Sequence, residues 1–124
     1  MNEKEKTVLL SVPNISGNEL KYVKECLETG WISSAGSYVD KFEQMVADYA
    51  GAKYGIATMN GTAALHIALL LAGVKPKDYV IVSNMTFVAS ANSIKYTGAD
   101  PILIDADPKT WQMDLDLLDE FLDN

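Results

Sequence analysis

Apolar positions recur along the chain with two different periods. Leu20, Val23 and Leu27 repeat at i, i+3 and i+7, the spacing of one helix face. Residues 16–19, S-G-N-E, have the form of a capping box. The Ser16 hydroxyl would take the Glu19 amide while the glutamate reaches back, and Gly30 supplies the stop. A second stripe, Val39, Phe42, Met45, Val46 and Tyr49, predicts a helix from about Ser37 to Gly51. Between the two lies G-W-I-S-S-A-G, residues 30–36, a tryptophan among small and polar neighbours, as in a binding loop.

From Lys53 the pattern changes to short apolar runs separated by helix-length segments. Tyr54 to Thr58, Tyr79 to Ser83 and Pro101 to Asp105 read as strands of one sheet. Thr62 to Ala72 reads as a helix ended by Gly73, and another starts near Thr86 or Phe87 and runs to Gly98. Asp114 caps a final helix carrying Leu115, Leu118 and Leu122 on one face. Strand and helix in alternation is the signature of an α/β fold with parallel strands and right-handed crossover helices. The expected organisation is therefore a helical segment over 1–52 and an α/β segment over 53–124. A three-stranded open sheet is small, and the sequence stops just after a helix, which suggests a truncated chain.

Composition narrows the classes. With 48% hydrophobic and 22% charged residues, the 124-residue chain reads as one soluble globular domain. The longest uncharged apolar run, Ile67 to Val74, falls far short of the roughly 20 residues of a membrane span, so no membrane partner is expected. Asn2 to Lys6 mixes acids and lysines, unlike a secretory signal. The single cysteine, Cys26, has no internal partner for a disulfide, in keeping with a cytoplasmic location. Net charge is −7, and the stretch from Asp105 onward holds seven acids against one lysine, −6 of that total. No basic stripe exists to neutralise phosphates, so nucleic acid is not expected as a partner. Arginine is absent altogether. A bound anion must be held by backbone amides, hydroxyls or lysine.

Residues 57–66, A-T-M-N-G-T-A-A-L-H, carry the clearest chemistry. A strand that turns through Asn60 and Gly61 into a helix at Thr62 presents unpaired amides and a positive dipole end, which suits a phosphate. Gly61 admits close backbone approach, the Thr62 hydroxyl can donate, and the amides of Thr62 and Ala63 complete a cradle. The competing reading makes Asn60-Gly61 a plain turn and Thr62 an N-cap. The three-glycine dinucleotide fingerprint and the P-loop lysine are both missing, so one phosphate group fits better than a dinucleotide or ATP. Residues 83–92, S-N-M-T-F-V-A-S-A-N, follow the next strand and so reach the same carboxyl edge, where ligands of open α/β sheets gather. Phe87 there could lie flat on a planar ring; the alternative is a plain core residue.

Together N-G-T-A-A-L at 60–65, T-F-V-A-S-A-N at 86–92, G-A-D-P-I-L-I-D-A-D-P at 98–108 and G-W-I-S-S-A-G-S-Y-V-D-K-F-E at 30–43 resemble the N-terminal part of the DegT/DnrJ/EryC1/StrS aminotransferases. The resemblance runs from about Val12 to the end. It implies the large domain of a fold-type-I enzyme that uses pyridoxal 5'-phosphate (PLP) to aminate a nucleotide-linked 4-keto-6-deoxy sugar. The amino donor would be glutamate, the assembly a homodimer, and the role cell-surface polysaccharide or nonulosonic acid biosynthesis. P-K-T-W-Q-M-D at 108–114 most resembles the legionaminic-type branch. By the same resemblance Gly61, Thr62 and Ala63 hold the cofactor phosphate and Phe87 stacks on its ring. Trp31, Ser33 and Asn60 lie near the sugar.

The family's Schiff-base lysine and its pyridine-pairing aspartate fall beyond these 124 residues, so no catalytic residue is assigned and the isolated chain is expected to be inactive. Asp105 and Asp107 read as solvated acids rather than as the pyridine partner. Two alternatives remain: an α/β module that binds a phosphorylated small molecule without catalysis, and a family dehydratase in which histidine replaces the lysine. His66 reads as a packing or surface residue, Cys26 as unreactive, and no spacing supports a metal site.

Overall fold

The computed structural model describes residues 9 and 11–123, so Asn2 to Lys6 lie outside the described residues. The chain divides into two compact units, Met1–Ile56 and Ala57–Asn124. In the first, α1 spans Glu19–Thr29 and α2 spans Ser37–Ala50. Gly30 and Gly51 end them in the left-handed conformation, φ 76° and 65°, which glycine adopts without a Cβ clash. The capping box expected at Ser16 does not form. Asn18 is the N-cap with no side-chain bond, Ser16 Oγ donates to Asn14 Oδ1, and Glu19 accepts instead from the Gly17 amide. The short local bond available to Ser16 competes successfully with the helix end. Tyr22 and Tyr38 link the two helices, their ring centroids 5.1 Å apart.

The second unit holds α3 (Gly61–Leu71), β1 (Tyr79–Ser83), α4 (Ala89–Tyr96), β2 (Asp100–Ile104) and α5 (Leu115–Asp123). β1 and β2 pair in parallel, Tyr79 opposite Asp100 through Ser83 opposite Ile104. Buried Ile94, Ala99 and Ile104 form its core, with Ser93 and Thr97 turned back onto helix carbonyls. α3 and α4 pack together, and the edge-to-face contact of His66 with Tyr96 at 5.8 Å makes His66 a packing residue. Asp114 caps α5 as expected, its Oδ1 accepting from the Asp116 and Leu117 amides.

One expected element is absent: residues 54–58 form no strand, and the sheet among the described residues has two strands, not three. Aromatic and β-branched content favours extended backbone, but a strand is stabilised by its ladder and its cross-strand neighbours. β1 and β2 pair with each other and neither takes this segment. Tyr54 and Ile56 remain 71% and 81% exposed. Gly55 instead lies against the α2 backbone, where an added Cβ would run into the Glu43 carbonyl. Among the described residues no helix is long and apolar enough to cross a membrane, and no group of His, Cys, Asp or Glu could hold a metal ion.

Candidate functional site

The direction of α3 and α4 in the second unit follows from the loops that leave them. The Lys77 amide donates to Gly98 O at 2.9 Å, so the connection after α3 meets the connection after α4 beside the amino ends of β1 and β2. Both helices thus trail toward that edge, and their N-termini open toward the carboxyl edge. Gly61 and the Phe87 loop share the edge where ligands of such sheets gather.

At the α3 N-terminus the cap is Asn60, not Thr62. Asn60 Oδ1 accepts from the Ala63 amide at 2.9 Å, and Asn60 O accepts from Thr58 Oγ1 at 3.0 Å and from the Ala64 amide at 3.1 Å. This corrects the expectation for Ala63 and removes the competing reading of Thr62 as the N-cap. The Ala63 amide is already paired, so it is not a free member of a cradle. The Thr62 hydroxyl, relieved of the capping role, has no hydrogen-bond partner among the described residues, and neither have the Gly61 and Thr62 amides. Three donors on two successive residues, at the positive end of an 11-residue helix, are left without a partner among the described residues. A Cβ built on Gly61 meets nothing within 4 Å beyond its chain neighbours and its own helix backbone, so the space beside its Cα is open.

Phe87 is 79% exposed among the described residues. Its loop is fixed from below: Asn84 N donates to Ile104 O, Ser90 N donates to Phe87 O, and the Thr86 and Ser90 hydroxyls lie 3.2 Å apart. An uncovered ring on a tethered loop, at the same edge as three free donors, fits a planar aromatic bearing one phosphate. Asn60 keeps its side-chain amide as a donor while its oxygen serves the cap.

Asp107 is not merely solvated. It is half-buried, and its Oδ1 accepts from the Lys109 and Thr110 amides, both at 2.8 Å. These bonds, Thr110 first, hold its carboxyl below the usual range. Asp107 thereby organises the turn that places Trp111 at φ 59°. Asp105 is exposed, with its Oδ1 on the following amide.

Trp31 and Ser33 belong to the N-terminal unit, where they line a cleft of about 230 Å³ with Cys26, Ile32, Gly36 and Tyr38. Gly36, at φ 152°, packs on the indole, and a Cβ there would stand 3.4 Å from Trp31 Cβ. Helical spacing assigned Tyr38 no role; only the three-dimensional arrangement brings it to this cleft.

Comparison with known proteins bears on the family of the chain. Residues 13–124 match the model of the DegT/DnrJ/EryC1/StrS aminotransferase family. The GDP-perosamine synthase of Caulobacter vibrioides is 50% identical over 107 residues, 86% of this chain and 29% of the relative. That of Escherichia coli O157:H7 is 46% identical over 112 residues, 90% and 31%. Among solved structures, Spr1654 from Streptococcus pneumoniae, described as a sugar aminotransferase and solved in its PLP form, superposes with a TM-score of 0.82 at 33% identity. That match covers 93% of this chain and 29% of the other. The chain spans less than a third of the length of these relatives. An open helix N-terminus, an uncovered aromatic at the same sheet edge and a family match over nearly the whole sequence lead to one conclusion: the chain belongs to the DegT/DnrJ/EryC1/StrS aminotransferase family.

Proposed function

We propose that these residues are the cofactor-phosphate and sugar-binding part of a PLP-dependent aminotransferase that aminates a nucleotide-linked 4-keto-6-deoxy sugar, with glutamate as donor. The observation that carries the reading is the set of free donors on Gly61 and Thr62 at the same sheet edge as the exposed ring of Phe87. The relatives named GDP-perosamine synthase support a GDP-linked amino sugar as the product class. When bound, PLP supplies an electron sink that lets an amino group pass between donor and keto carbon. The Gly61 and Thr62 amides and the Thr62 hydroxyl would hold its phosphate and Phe87 would cover one face of its ring and exclude water there; the family resemblance assigns Asn60 of the second unit, and separately Trp31 and Ser33 of the first, to the sugar.

The 124 residues bind on this reading without turning over. Of the four lysines in the second unit, Lys75 and Lys77 belong to the connection after α3, and Lys95, in the last turn of α4, pairs with Asp100 at 2.6 Å. Lys109 sits in the Asp107 turn, outside any serine-headed motif of the family. Equilibrium dialysis tests the reading. The chain should retain PLP better than pyridoxal, Thr62→Ala and Phe87→Ala should each retain less, and glutamate with a keto sugar should give no product. Equal retention of PLP and pyridoxal would refute the phosphate site.

A further inference from the structure

The turn before α3 carries a reactive pair of residues as well as a helix cap. Of the asparagines in the chain, Asn60 alone is followed by glycine; Asn14, Asn18, Asn84 and Asn92 precede Ile15, Glu19, Met85 and Ser93. An asparagine loses its side-chain nitrogen when the backbone nitrogen of the next residue attacks its Cγ, and a side chain on that next residue hinders the attack. Gly61 offers no such hindrance, and glycine backbone turns freely. Both residues are exposed, and the Gly61 nitrogen has no hydrogen-bond partner among the described residues, so no bond of the helix restrains it. What opposes the attack is local. Asn60 is extended, φ −166° and ψ 170°, with its Oδ1 on the Ala63 amide, and it has to turn about ψ before the two atoms meet. That turn releases one capping bond on an exposed helix end, a change of about fivefold in population.

We infer that Asn60 and Gly61 form a deamidation site, and that its conversion places a carboxylate on the end of α3 proposed to hold phosphate and so weakens that hold. The Gly61 nitrogen forms a bond to Asn60 Cγ and gives its proton to solvent, while the side-chain NH2 takes a proton from solvent and departs as ammonia. Water then opens the five-membered imide at either carbonyl, leaving aspartate or isoaspartate at position 60. One water is consumed and one ammonia released, with no change of oxidation state. Aspartate caps a helix as well as asparagine does, and its charge suits the positive helix end, so α3 stays folded. The same charge beside the Gly61 and Thr62 donors repels a phosphate. Isoaspartate lengthens the backbone by one carbon and moves the side chain away from its capping place. The consequence for PLP rests on the phosphate reading above; the modification itself does not.

Peptide mapping by mass spectrometry reads the modification. The parent chain, incubated at mildly alkaline pH, should gain aspartate and isoaspartate at position 60 while Asn84 and Asn92 stay intact. Unfolding it in urea should speed conversion at Asn60 by only about fivefold, the release of one cap. Gly61→Ala should lose the modification. PLP should slow it and pyridoxal should not, because a phosphate on the Gly61 amide occupies the attacking nitrogen. Asn60→Asp, which stands for the product and keeps the cap, should melt at or above the parent's temperature yet hold PLP about tenfold less tightly, the effect of one like charge. An Asn60 that stays intact in the folded chain, or converts no faster than Asn84, would overturn the site. Conversion with equal PLP affinity of the parent and Asn60→Asp would overturn its effect on binding. A parent that holds PLP no better than pyridoxal would overturn the phosphate reading and leave the modification standing.

Discussion

Gly61→Ala separates the two readings of the turn before α3, because they predict opposite consequences for it. Gly61 is the first residue of the helix, its φ lies outside the left-handed range, and an added Cβ meets nothing within 4 Å beyond its chain neighbours and its own helix backbone. For the folded chain alone the methyl is therefore harmless. Alanine also restricts the unfolded chain, so stability should rise by about 0.4–1 kcal/mol. On the proposed reading the same methyl crowds a phosphate oxygen that approaches the Gly61 amide. A charge-assisted hydrogen bond contributes about 1.5–3 kcal/mol, so losing one corresponds to roughly a tenfold to hundredfold weaker grip on PLP. Thermal unfolding of the ligand-free chain and equilibrium dialysis with PLP measure the two effects on one preparation. A higher melting temperature together with weaker binding is expected. Unchanged PLP affinity would show that no anion approaches Gly61, and a lower melting temperature would refute the geometry from which the magnitudes follow.

Other consequences can be checked directly. Asn60→Ala removes the acceptor of the Ala63 amide and should cost about 1 kcal/mol of stability in urea unfolding, whereas Thr62→Val, which removes no cap, should change stability less and PLP retention more. Gly55→Ala drives a Cβ into the Glu43 carbonyl and should destabilise the N-terminal unit by about 1–3 kcal/mol, seen as a lower urea midpoint for its helical signal. Asp107 has a folded pKa below its ordinary 3.8, so its contribution is present above that value and is lost as pH falls through the lower folded one. The melting temperatures of the parent and Asp107→Ala should therefore differ at neutral pH and converge in strong acid.

Elements with a complete local signal were legible from sequence. α2 runs from the expected Ser37 to the residue before Gly51, β1 matches Tyr79 to Ser83, and β2 is offset by one residue, because their stripes and stop signals lie within the segments themselves. The start of α4 was placed too early: Thr86 and Phe87 look helical in pattern, but their loop is held by Asn84 on Ile104 and by Ser90 on Phe87, and the helix begins at Ala89. Residues 54–58 failed for a different reason, since pairing depends on a neighbour that composition cannot supply. At the turn before α3, sequence placed the helix start but left open whether Thr62 caps it. Asn60 and Thr62 both offer a capping side chain, and only the backbone geometry, Asn60 at φ −166° and ψ 170°, decides which one caps the Ala63 amide. Tyr38 gave no signal because its partner Glu25 is thirteen positions away on another helix.

The central claim is that the α3 N-terminus binds the phosphate of PLP, and amide-resolved NMR titration tests it most directly. Adding PLP to the labelled chain should shift the Gly61 and Thr62 amide resonances strongly, with the Ala63 amide, already bonded to Asn60, moving less. Pyridoxal, which has the ring without the phosphate, should leave those amides nearly unmoved while still perturbing the Phe87 ring. Shifts of equal size with both compounds, or shifts centred on the Lys75 and Lys77 connection with Gly61 and Thr62 unmoved, would contradict it.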